Sequence, residues 1–289
     1  MESIGGQAVI EGVMIRNKDI VATAVRKSSG KIKVSRLNVS SITKKHKILN
    51  LPVIRGVIIL FETMMIGIKS LNFSANESTN TKEKEEMSQW QLVLAIIIAL
   101  AFALVLFKLL PLGIVQLINN FFILNRFSFS IIEGVLKLLI LSGYIYAISF
   151  MPDIKRIFMY HGAEHKVVNC YENEGKVTVK AAKKYSTIHK RCGTNFVTLV
   201  LIISVLVYIF IPLEFSFMAK YAARVALLPL VAGISYEVLK VNAKYPKLRI
   251  FELFIIPGLL LQRVTTKEPN SKQLEVALRA LKESLKQGS

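Results

Sequence analysis

The stretch Trp90–Leu110, WQLVLAIIIALAFALVLFKLL, decides the fold class. It holds 21 residues with a single charge, Lys108. A bilayer core of ~30 Å takes about 20 apolar residues as a helix, so this run reads as a membrane span. Three further runs read the same way: Ile131–Met151, Phe196–Ile211 and Tyr221–Leu239. The polar opening Met1-Glu2-Ser3 does not resemble a signal peptide.

Composition agrees. The 289 residues are 53% hydrophobic and only 20% charged, with mean hydropathy +0.47 and net charge +19. Apolar and basic residues are therefore segregated along the chain, which excludes intrinsic disorder. Two cysteines exclude a disulfide scaffold. Lys plus Arg number 14 in residues 1–89, 1 in 112–130, 9 in 152–194, 1 in 213–220 and 9 in 241–289. Only alternate loops are basic, so the charge fits a membrane surface and no specific nucleic acid. The positive-inside rule places the N-terminus, the 152–194 loop and the C-terminus in the cytoplasm. The expectation is an α-helical polytopic protein of the bacterial cytoplasmic membrane with four transmembrane helices in 90–240. Its expected partners are the lipid bilayer and other membrane proteins.

Outside the spans, residues 1–50 alternate like short strands at Gln7–Arg16, Ile20–Arg26 and Lys31–Ser35. Ser28-Ser29-Gly30 marks a turn, and the whole reads as a small cytoplasmic β module. Residues 51–72 read as an amphipathic helix lying in the interface, because Arg55, Glu62 and Lys69 interrupt the run. Residues 73–89 read as a linker. Within 241–289, Ile250–Leu261 is too short to span and is broken by Pro257-Gly258, which makes it a second interfacial segment. The tail places Leu274, Ala277, Leu278, Leu281 and Leu285 at helical spacing, an amphipathic helix seeking an apolar surface. Within the 152–194 loop, residues up to Glu174 read helical with Gly175 as the stop, and Lys176–Lys180 alternates like a strand.

That loop also carries three of the four histidines. His161 and His165 sit one helical turn apart, on one face, able to share an ion. His189 and Cys192 flank a tight turn. Three nitrogens and one sulfur suit tetrahedral Zn²⁺. Glu164 completes His-x-x-Glu-His, the inverted zinc-peptidase pattern in which the glutamate activates water. With His161, His165, His189 and Cys192 all on the ion the site is structural; with three of them a water fits and Glu164 can be catalytic. Cys170 reads as a small buried residue. Glu237 reads as a carboxylate orienting a ligand imidazole. Lys108, Glu133, Lys137 and Arg224 are intramembrane charges expected to pair between helices.

Several stretches carry a resemblance: GGQAVIEGVMIR at 5–16, PVIRGVIILFE at 52–62, HGAEHKVVNCYE at 161–172, HKRCGTNF at 189–196, VAGISYE at 231–237 and PGLLLQRVTTKEP at 257–269. In order across the chain, they resemble the YqhQ-like family of bacterial membrane proteins, a domain of unknown function often labelled a metal-dependent enzyme. The resemblance implies a polytopic bacterial membrane protein. Two functions stay open: a metal-dependent membrane hydrolase, or a non-catalytic membrane-assembly or complex-forming factor whose zinc only fixes the loop.

Overall fold

Strands β1 (Ile4–Val9), β2 (Gly12–Asn17), β3 (Ile20–Arg26) and β4 (Ile32–Asn38) form one antiparallel sheet in the order β1-β2-β3-β4. They belong to a computed structural model that describes residues 4–78, 88–245 and 250–286. The run Gln7–Arg16, expected as one strand, folds back on itself: Val9 pairs with Gly12 and Gln7 with Met14. The reversal uses Glu11 at φ 53°, and the next turn uses Lys18 at the same angle. Left-handed residues fit the twist of tight hairpins, but neither position holds the glycine that would announce one. Where glycine does stand, at Gly30 (φ 83°), the expected turn forms.

Side chains alternate across the sheet. One face sends Ile4, Val13, Ile15 and Ala24 against helix α5 (Pro152–Glu174) and helix α11 (Ser271–Leu285). α11 buries Leu274, Ala277 and Leu281 there, so the amphipathic tail finds its apolar surface within its own chain. The other face packs Val9, Met14, Val21 and Val25 on Ile66 and Phe73 of helix α1 (Ile54–Ser78). The Thr23 hydroxyl bonds that of Ser70 across this layer at 3.0 Å. The expected interfacial helix is thus longer than 51–72 and also covers the sheet. Its later half forms a lid there, while Phe61, Met64 and Met65 stay exposed on its outer side. Residues 73–78 of the expected linker belong to this helix; the remainder, 79–87, lies outside the described residues.

The apolar part follows. Helix α2 (Gln89–Leu104) runs through a π-helical turn at Val105–Leu109 into α3 (Leu110–Phe121). Together Val93–Phe121 make 29 residues, and α4 (Arg126–Ile148) makes 23. Both are long and apolar enough to cross a membrane. The third expected span, α7 (Gly193–Tyr208), has 16 residues. At 1.5 Å per residue that is about 24 Å, short of the ~30 Å core. The fourth is two helices, α8 (Phe217–Ala226) and α9 (Leu228–Lys244), bent by 43°. Pro229 stands at the start of α9, where it lacks the N–H that would carry the helix ladder through the joint. The described residues therefore hold two spans by length, three if the bent pair counts as one, rather than four. Helix α10 (Ile250–Thr265) packs along α7. Lys176–Lys180 is not a strand: Thr178 caps a four-residue helical turn, α6 (Val179–Ala182).

The charges expected inside the spans do find partners. Glu133 of α4 accepts from the Arg224 guanidinium at 2.7–3.0 Å and contacts Lys137 one turn on. Lys108, on the π-helical turn, donates to Tyr208 Oη at 2.9 Å. At the other end of the helices, Gly56 and Gly233 let α1 and α9 cross closely. A side chain at Gly233 would meet Val53 at 2.6 Å. Arg55 donates to Glu237 at 2.7 Å, and the Val53 backbone N–H bonds the same carboxylate. This fixes Val53 at φ 69°, costly for a β-branched residue.

Candidate metal centre

Helix α5 brings the histidines together. Pro152 and Asp153 suit its first turn, and Gly175, left-handed at φ 70°, ends it. His161 and His165 then share a face, with ring centroids 4.4 Å apart.

Their environment fixes their protons. His161 Nδ1 lies 2.9 Å from the Thr265 carbonyl and His165 Nδ1 lies 2.5 Å from the Thr187 carbonyl. A carbonyl only accepts, so both rings carry the proton on Nδ1 and present a lone pair at Nε2. Metal-binding imidazoles are commonly oriented this way. His161 Nε2 is 3.2 Å from Cys192 Sγ. His165 Nε2 is buried and makes no hydrogen bond. Burial holds the His165 imidazole below its ordinary pKa, against the pull of Cys192 and the Thr187 carbonyl, so it stays neutral.

Cys192 caps the amino terminus of α7 and takes the Thr194 N–H at 3.4 Å. A helix start favours negative charge. The ligand atoms of His161, His165 and Cys192 all lie within 4.8 Å of one another. Zn–N and Zn–S bonds of ~2.0–2.3 Å in a tetrahedron put ligand atoms roughly 3.3–3.8 Å apart, so small side-chain movements suffice to close the three on one ion.

Three supports were missed in the sequence. Gly162 lets the 265–267 segment cross α5: an added Cβ would sit 2.1 Å from the Lys267 carbonyl oxygen. Lys267 N–H bonds the Phe158 carbonyl at 2.9 Å, which delivers Thr265 to His161. Gln262, buried in α10, accepts from His189 N–H at 2.9 Å and donates to the His189 carbonyl and Asn195 Oδ1 at 3.1 and 3.0 Å. It staples the His189–Cys192 turn. The polar Gln262 inside the apolar run PGLLLQ was the signal that could have found it.

Of the sequence candidates, His161, His165 and Cys192 converge. His189 stands beside them, its ring centroid 5.7 Å from that of His165, with Nε2 3.3 Å from Glu172 Oε2. Burial works to raise the Glu172 carboxyl, but His189 and Arg191 together hold it below its ordinary value. Glu164 is buried, with Oε2 3.5 Å from His165 Nε2, and bonds the Gly6 N–H on the outer edge of β1. Burial pushes its carboxyl above the ordinary range, opposed by His161, His189 and Gly6. Glu237 does not orient an imidazole, because Arg55 occupies it. Cys170 is a buried thiol raised by burial, as a packing residue should be.

The fold and site describe a class: a helical chain with membrane-length apolar helices, a small β module, and a largely buried His/His/Cys cluster beside a carboxylate. Likeness to known proteins narrows it. Residues 51–287 match a protein family of unknown function, DUF1385. The chain is 37% identical over 294 residues to "Uncharacterized protein YqhQ" of Bacillus subtilis (strain 168), covering 98% of this chain and 92% of the relative. This protein belongs to that family. No solved structure matches it.

Proposed function

We propose that the chain is an integral protein of the bacterial cytoplasmic membrane whose cytoplasmic face carries a zinc site, and that it is a metal-dependent hydrolase. The observation that carries the reading is the pair of imidazoles whose Nδ1 protons are committed to backbone carbonyls, aiming two Nε2 lone pairs at one thiol. Three protein ligands leave a fourth position open, the pattern of catalytic rather than structural zinc. Zinc bound there would supply Lewis acidity. Glu164, beside His165, would take a proton from an attacking water and pass it to a leaving group. The alternating charge of the loops supports four crossings with both termini inside, α7 and the bent α8–α9 pair completing the set with the help of flanking residues.

A second reading keeps the zinc and drops the chemistry. His189 lies close enough to His165 that a swing away from Glu172 would close a four-ligand structural site, as expected of a membrane-assembly factor. Cobalt substitution separates the two. Detergent-purified protein loaded with Co²⁺ should bind one ion, and His161→Ala or Cys192→Ser should abolish it. In the catalytic reading His189→Ala retains the ion and added azide alters the visible spectrum through the open position. In the structural reading His189→Ala loses the ion and azide does nothing. Protein that takes up no stoichiometric metal overturns both.

A further inference from the structure

A cavity of about 620 Å³ opens on the opposite face of the sheet from α5, walled by Gly5, Gly6, Met14 and Arg16 of the sheet and by Ile59, Thr63 and Ile66 of α1. Arg16, Lys18, Lys44 and Arg191 line it; its one carboxylate, Asp19, is held by Lys44 at 2.7 Å. Arg191 is also held, by Glu172. Arg16 spends only Nε, on the Lys18 carbonyl at 2.9 Å, and among the described residues no carboxylate pairs with it. The cavity is thus net positive, with hydroxyls at Ser41, Thr43 and Thr63.

It also abuts the metal centre. Gly6 lines the cavity and its amide bonds Glu164; Arg191 lines the cavity and is the neighbour of Cys192. The far wall belongs to the apolar part: Tyr236 comes from α9, and α1, which closes the cavity, carries exposed Phe61, Met64 and Met65 on its outer side. A polar basic chamber closed by a helix with an exposed apolar back fits an amphiphile carrying a compact anion.

We propose that this cavity binds a phosphate ester, supplied as the headgroup of a membrane lipid with a terminal phosphate. Arginine takes phosphate oxygens in a bidentate fork, which Arg16 has to offer, and the hydroxyls border that cradle. As the substrate side of the metal centre it rests on the hydrolase reading; as a binding site it does not.

The test uses full-length protein in neutral-detergent micelles. Short-chain phosphatidic acid should bind, and phosphatidylcholine of the same chain length should not. Arg16→Gln should weaken binding about tenfold, the loss of roughly one charge-assisted hydrogen bond. Lys272→Gln, which removes the same charge from an exposed position of α11, should leave binding unchanged. Thermal unfolding of both variants checks that each is folded. Inorganic phosphate competing as well as the lipid assigns the same cradle to a soluble phosphate ester; phosphate competing weakly assigns it to the lipid. Equal binding of phosphatidylcholine, or phosphatidic acid binding that survives the Arg16 change, overturns the proposal. His161→Ala should bind lipid normally, so a failed metal centre and a failed lipid site give different results.

Discussion

At the scale of single residues the site is set by backbone carbonyls, and Gly162 is the residue that permits one of them. Gly162→Val should push the 265–267 segment off α5, free His161 Nδ1 and weaken metal binding by about 10- to 100-fold, the usual effect of losing an orienting partner. Titration with Zn²⁺ against a chelator reads this directly. Gln262→Leu should act in the same direction through the His189–Cys192 turn, and should also cost about 1–3 kcal/mol by leaving buried groups of that turn unpaired. That His161 and His165 would stand together was legible because their spacing is local: they face one way on any helix. Thr265 and Thr187 were not, since their role lies in a main-chain oxygen that no side-chain pattern encodes. Glu237 was misassigned because its carboxylate, read alone, could serve any nearby cation or imidazole, and the partner that claims it is 182 residues away.

At the scale of elements, strong periodicity is legible and compromised periodicity is not. Helix α11 has its four leucines on one face, so its docking was predictable even though the surface it docks on was not. Leu281→Ala should cost about 2–5 kcal/mol by opening a cavity between α11 and the sheet, measured as a lowered thermal midpoint. Helix α1 is harder to read because its two halves serve different neighbours. Its end is tied to the sheet by Glu77, which contacts Lys27 and Lys33 at 2.9 and 2.8 Å. These lysines hold the Glu77 carboxyl below its ordinary value. A depressed carboxyl stabilises the fold above the ordinary carboxylate range and loses that contribution as pH falls through its folded value. Amide protection at the end of α1, read against the unstructured peptide at the same pH, should therefore fall on acidification below about pH 4.5, where carboxyls begin to protonate, and Glu77→Gln should flatten that dependence.

At the scale of the whole molecule, one buried carboxylate holds the apolar helices together. Glu133→Gln would leave Arg224 and Lys137 without a counter-charge and should destabilise the protein by about 3–5 kcal/mol, seen as loss of folded protein on heating in detergent. The topology has its own check. A cysteine replacing Glu214, between α7 and α8, should react with an impermeant maleimide in intact cells; one replacing Ser29 should react only after permeabilisation. Composition announced apolar helices of membrane length at once, but how many of them are long enough to cross was less legible. A hydropathy window counts residues, whereas α7 stops at Tyr208 and α9 restarts at Leu228 for reasons of hydrogen bonding and proline geometry.

The oxygen that sets His161 lies 104 residues further along the chain. A ribosome must therefore finish α7, α9 and α10 before the imidazole has its proper tautomer held in place. In the zinc reading, ion capture would wait until those helices are made, and a chain stalled before Thr265 would leave His161 without the carbonyl that orients it while His165 kept Thr187.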